Sequence, residues 1–204
     1  MRDRFPVILL LAAAVAPGVG VAADVQKGLE AFNIGDYATS LAECQPAAEA
    51  GDALAQFCVG RLYANGFGVP MDDALALKWY GLAAEQGNAE AQFNLGVMTA
   101  NGWGVPMDDV EAAKWYRLAA EQGFLQAQTS LAGACHSGRG VEQNVVEAYM
   151  WYAIAAGLGD MNAEFKLDEI APDLSPEEVA EAQQRAKSWL DAHPAETLQA
   201  GHIE

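Results

Sequence analysis

The sequence predicts an all-α protein, an array of antiparallel helix pairs stacked one on the next. The first observation is a period: Gly51, Gly87, Gly123 and Gly159 stand 36 residues apart and the segments they open align without gaps. Self-similarity of this length marks an array in which each unit buries its apolar face against its neighbour. Residues 51–86 match residues 87–122 at 24 of 36 positions, and the latter match 123–158 at 14. The second observation is spacing within a unit. Ala91, Leu95 and Met98 recur at helical intervals, and Ala112, Trp115, Tyr116, Ala119 and Ala120 do so again. No segment after residue 23 reads as a strand.

In chain order, residues 1–23 read as a secretory signal peptide. Arg2 and Arg4 precede an apolar run from Phe5 to Ala16, which Pro17 to Gly20 break before the small residues Val21, Ala22 and Ala23. An apolar run of about 12 residues falls short of the roughly 20 needed to span a bilayer. Cleavage after Ala23 and delivery to the periplasm or the medium are therefore expected, with no membrane insertion afterwards. Residues 24–50 read as an N-terminal half-repeat, because only the stretch from Tyr37 onward aligns with the later units. Residues 51–86, 87–122 and 123–158 are the three full repeats. In the second, the run NGWGVP separates two helices: Gly102 suits the positive φ of a helix C-cap and Pro106 stops continuation. Asp108 with Glu111, and Asn144 with Glu147, have the spacing of capping boxes. Residues 159–192 form a diverged terminal repeat that caps the stack, its last helix opened by Ser175, Pro176 and Glu178. Residues 193–204, with His193 and His202, lack helical periodicity and read as a flexible tail.

Composition narrows the function. With 52% apolar and 19% charged residues the chain can bury a core, and 11 Lys+Arg against 28 Asp+Glu give a net charge of −17. Such a surface repels phosphate backbones and anionic headgroups, so nucleic acid and acidic lipid are poor partners. Three cysteines without paired CxxC clusters do not make a structural zinc site, and no metal or cofactor is expected. There is no HExxH, GxSxG or SxxK after residue 23. Cys135, His136 and Ser137 are chain neighbours, and neighbours on a helix point about 100° apart, so they do not form a nucleophile–base pair. The chain reads as an interaction scaffold rather than an enzyme.

The runs AQFxxG, NGxGVPMDD and AxKWYxLAAEQG in the first two repeats resemble the Sel-one-like repeat (SLR) family, relatives of the tetratricopeptide repeats. The third repeat keeps GRGV, AYMWYAIAA and the bounding glycines and departs at Ala132, Cys135 and Asn144. The resemblance implies a right-handed α/α superhelical solenoid whose first helices line a concave face. It also implies an adaptor that binds a protein or peptide, in bacteria often exported and active in envelope signalling or assembly. A cysteine-rich secreted branch of the family implies the second reading, β-lactam binding or hydrolysis. This chain lacks that branch's regular cysteine pair in every repeat.

Alignment with tetratricopeptide repeats places Leu54, Phe57, Arg61 and Asn65 on the concave face, then Glu90, Phe93, Val97 and Asn101, then Gln126, Thr129, Gly133 and Ser137. His136 falls at the edge. Phe57 and Phe93 are the expected two-aromatic anchor, flanked by amides suited to an extended backbone. Trp79, Trp115 and Trp151, each followed by a tyrosine, are expected to fill the contacts between units. The residues between the paired glycines, Phe67, Trp103 and Arg139, are loop tips that either pack on the adjacent helix or meet a partner. Cys44 and Cys58 lie seven residues either side of Gly51, level along an antiparallel hairpin, and a disulfide between them is expected. Cys135 is expected to be an inert core thiol.

Overall fold

The structure is a computed structural model and describes residues 24–194. The expected signal peptide over residues 1–23 and the expected tail from residue 195, with His202, lie outside the described residues. The array consists of α1 (Val25–Asn33) and α2 (Tyr37–Glu49), α3 (Ala53–Asn65) and α4 (Asp73–Glu85), α5 (Ala89–Asn101) and α6 (Asp109–Glu121), α7 (Leu125–Ser137) and α8 (Val145–Gly157), then α9 (Met161–Ile170), a 3-10 turn (Ala171–Asp173) and α10 (Pro176–Ala192). There is no strand among the described residues. The N-terminal unit is a complete helix pair, not half of one. Its α1 is only nine residues long and shares no motif with the first helices that follow, which is why the period alone did not reveal it.

Helix starts follow one device. Asp36, Asp52, Asp72, Asn88, Asp108 and Asn144 each accept a hydrogen bond from the N–H three residues on, satisfying a donor that the first turn leaves free. Among the described residues a reciprocal capping box closes only at Ser175 and Glu178. At Asp108 and Asn144 the return bond is missing because the glutamates have other partners: Glu111 pairs with Lys114 and Glu147 with Arg117 across to the preceding unit. The glycine pairs are more than turns. A Cβ at Gly140 would sit 1.9 Å from the carbonyl oxygen of Asp109, and one at Gly104 would sit 2.9 Å from that of Asp73. The second glycine thus lets each loop lie directly on the start of the preceding unit's second helix.

One contact sets how the two helices of a unit pack, and another how a unit sits on the next. Tyr80 and Tyr116 lay their rings on Gly60 and Gly96, where a Cβ would come within 2.6 and 2.7 Å. Gln56, Gln92 and Gln128, all buried, donate across the turn to the carbonyls of Ala48, Ala84 and Ala120. Gln86 then donates to the Gln56 side-chain oxygen at 2.8 Å, and Gln122 to that of Gln92 at 2.7 Å. The ladder stops one step later. The next position is Leu158, and the Oε1 of Gln128 is buried without a partner.

Beyond that point the packing changes. α10 lies on α8: Trp189 meets Trp151 edge-on at 6.2 Å, Gln183 donates to the Tyr149 hydroxyl, and Leu190 occupies the space over Gly157. The face of α9 carrying Met161 and Phe165 is left to solvent, 74% and 73% exposed. His193, expected in the tail, instead belongs to the end of α10, its ring stacked on Trp189 at 4.1 Å and its Nδ1 2.8 Å from the Trp189 carbonyl oxygen.

The ladder predicts opposite effects for two substitutions. Gln122→Leu orphans the buried oxygen of Gln92 and should cost about 1–3 kcal/mol, the usual penalty for an unsatisfied buried group. Leu158→Gln offers Gln128 the missing donor and should raise the melting temperature. Urea unfolding of both variants checks the pair, and a neutral Gln122→Leu contradicts the role of the ladder.

Candidate interaction surface

The first helices α3, α5 and α7 carry the residues that sequence alignment placed on the concave face, and the structure divides them. Phe57 is core: it is 4% exposed and packs against Tyr80 at 5.9 Å. As an exposed anchor it is therefore corrected: Tyr80, lying over Gly60, packs on the ring as Tyr116 does on Phe93, and the difference comes from Arg61, where α5 has Val97. Arg61 covers what remains of the ring, with its guanidinium 3.8 Å over Phe32 and 5.4 Å from Phe57. Phe93, at the equivalent place in α5, stays half-buried between Tyr116 at 5.9 Å and Phe124 at 5.2 Å. Leu54, Glu90, Val97, Thr129 and Gly133 are half-buried, and Gln126 is exposed.

One position recurs in identical form. Asn65 donates through Nδ2 to the Arg61 carbonyl at 2.8 Å, Asn101 to that of Val97 at 2.7 Å, and Ser137 through Oγ to that of Gly133 at 2.8 Å. All three are exposed. Each side chain is thus tethered at the end of a first helix, and each amide keeps its oxygen as a free acceptor. His136 is half-buried beside this row, and its carbonyl accepts from Gln143.

The loop tips follow a pairing rule that sequence reasoning missed. Each tip meets the first residue of the second helix 30 positions earlier. Phe67 stacks on Tyr37 at 4.5 Å and touches Phe32, so it is packed rather than presented. Arg139 bonds Asp109 at 2.8 Å and the Ala100 carbonyl. Trp103 stands between Gly102 and Gly104, whose loop lies on Asp73, a residue offering its ring neither a stacking partner nor a counter-charge, and it is left 48% exposed. The matched pairs aromatic–aromatic and base–acid at this spacing were the available signal.

The expected disulfide is not formed. Cys44 and Cys58 are free thiols, both fully buried, and Ser40 Oγ lies 3.4 Å from the Cys58 sulfur. The positional argument did bring the two cysteines face to face. Each thiol acts on the other: the interaction with Cys58, together with burial, raises the Cys44 thiol, while the interaction with Cys44 holds Cys58 below the usual thiol value. The pair fills the site that Tyr80 and Tyr116 fill further along, with Cys44 on Gly28 in place of a ring on glycine. Cys135 is buried, its thiol pushed up to about 11 by desolvation and by nearby Glu147, so it is no nucleophile at neutral pH.

Trp79 and Trp151 are buried as expected, while Trp115 is half-buried. Among the described residues no group of His, Cys, Asp or Glu is arranged to hold a metal ion, and no helix is long and apolar enough to cross a membrane.

Comparison with known proteins agrees with this architecture. A family model described as Sel1 repeat matches residues 53–88, 89–124 and 125–160, each match beginning where a first helix begins. The crystal structure of a Sel1 repeat protein from Oxalobacter formigenes superposes with a TM-score of 0.68 at 36% identity, over 71% of this chain and 59% of that one. A protective antigen present in uropathogenic Escherichia coli strains, itself displaying an SLR fold, gives a TM-score of 0.50 at 25% identity over 88% of this chain and 49% of that one. The chain thus spans less than two thirds of either structure. Curated proteins gave no match.

The split between the phenylalanines is testable. Phe57→Ala should destabilise by about 3–5 kcal/mol, as emptying a packed core site does, and Phe93→Ala by clearly less. Equal losses in denaturant melts would contradict the assignment of one ring to the core and the other to the surface.

Proposed function

Because the chain belongs to the Sel1 repeat family, whose repeats generally mediate protein interactions, we propose that it is an exported scaffold binding a protein or peptide segment along the face of its first helices. The observation that carries this reading is the row Asn65, Asn101 and Ser137, one tethered polar side chain per unit. An extended segment repeats its own N–H groups at short intervals and pairs naturally with a row of fixed acceptors. Phe93 and Val97, half-buried beside the row, supply apolar area that a partner covers. The signal-peptide pattern of residues 1–23 supports export to the periplasm or beyond, and with it a place in envelope signalling or assembly. A net charge of −17 favours a basic partner and speeds its approach.

The test uses the chain after removal of residues 1–23 as bait in envelope extract. Asn65→Ala with Asn101→Ala should remove at least tenfold in affinity for the captured protein and leave the helical circular dichroism and melting temperature in place. Lys114→Ala, on the second helix α6, should change neither. Retention of full binding by the double variant would refute the first-helix face as the binding surface. Hydrolysis of a chromogenic β-lactam by the purified chain would replace the scaffold reading with the enzymatic one.

A further inference from the structure

The junction between the second and third repeats is lined by smaller side chains than the one before it. In the preceding junction Leu77 of α4 and Met98 of α5 belong to one core cluster, with Met98 only 3% exposed and Val97 half-buried beside it. One period later these positions are Ala113, Gly133 and Ala134. The three changes remove about nine side-chain heavy atoms from a place that close packing normally fills. What remains is a cleft of about 270 Å³ with Tyr116 and Ala112 on its floor, Ala100 to one side and the Arg139–Asp109 ion pair closing one end. It opens to solvent: Ala134 is half-buried, whereas its counterparts Leu62 and Met98 are buried. The hydroxyls of Tyr116 and Ser130 line it and make no hydrogen bond to another described residue.

We infer that this cleft receives one aromatic side chain from a partner segment that carries lysine or arginine on either side of it. Size sets the first part. A phenylalanine or tyrosine ring restores most of the missing atoms, and the alanine walls and the Tyr116 ring give it apolar and edge-to-face contacts. The two hydroxyls, of Tyr116 and Ser130, offer hydrogen-bond partners to the polar groups of the entering residue. Charge sets the second. Arg139 is already neutralised by Asp109, so a free anion gains little here, while the chain's net charge of −17 favours cationic flanks. The inference rests on the scaffold reading for its biological use and not for the binding itself.

The probe is the tripeptide N-acetyl-Lys-Phe-Lys-amide, titrated into the chain from residue 24 and followed by amide chemical shifts. Saturable shifts at Ser130, Gly133 and Ala134 are expected, none with the Lys-Ala-Lys analogue. The Glu-Phe-Glu analogue should bind about tenfold more weakly at low salt, with the gap closing at roughly 0.5 M salt. Ala134→Met and, separately, Gly133→Val restore the side chains of the preceding junction and should abolish the shifts without lowering the melting temperature. Should Ala134→Met disturb the fold, Ala113→Leu fills the same space from the other helix. Equal shifts with Lys-Ala-Lys, no saturation, or undiminished binding in a folded filled variant would overturn the proposal. Asn65→Ala with Asn101→Ala should leave tripeptide binding intact, so loss of the scaffold reading and loss of this one are read separately.

Discussion

Everything in the array depends on how a buried amide is satisfied at each junction. Packing one helix pair on the next removes water from the turn between them, and the carbonyls at the end of the second helix must find donors there. Gln56, Gln92 and Gln128 provide them from the following first helix, and Gln86 and Gln122 complete the glutamines in turn. A slip of one residue breaks several of these bonds together, so register is fixed. The tyrosine-on-glycine contacts at Gly60 and Gly96 set how closely the two helices of a unit approach. Where the ladder fails, at Leu158, the regular stacking also ends and α10 takes up a different position along α8.

The period, the helix pairs, the N-caps and the loops were legible in the sequence because each repeats locally and has a local physical cause. The capping pattern at Asp108 and Asn144 was only half right, since Glu111 and Glu147 were taken by cations that no local pattern reveals. Phe57 and Phe93 occupy one repeat position, yet Phe57 is buried and Phe93 is half-exposed. The difference lies in one neighbour: Arg61, held over Phe32, lies over the Phe57 ring, and Val97 stands at its place beside Phe93. Cys44 and Cys58 were correctly brought together by counting from Gly51. Counting does not determine whether two facing sulfurs are joined, and in the structure they are thiols. His193 was lost to the tail because stacking on Trp189 leaves no periodic trace.

Divergence between units thus has a direction. The first two repeats agree closely and pack densely, whereas the third replaces large core side chains with alanine and glycine and exchanges an exposed Trp103 for the paired Arg139. In a stacked array each junction contributes its own stability, so one can be loosened while its neighbours hold the shape. The result is a stacked frame with one cleft of about 270 Å³ at its third junction, beside the row Asn65, Asn101 and Ser137.

Apolar side chains are also exposed away from the first helices. Val110 and Leu118 lie exposed on the outer face of α6, and Met161 and Phe165 on α9. The most direct discrimination is hydrogen–deuterium exchange on the chain with and without its captured partner. The account predicts slowed exchange along α3, α5 and α7, strongest at the last turns that carry Asn65, Asn101 and Ser137, with the middles of α4 and α6 unchanged. Protection confined to α6, α9 or the glycine-bounded loops, with the first helices unaffected, would contradict it.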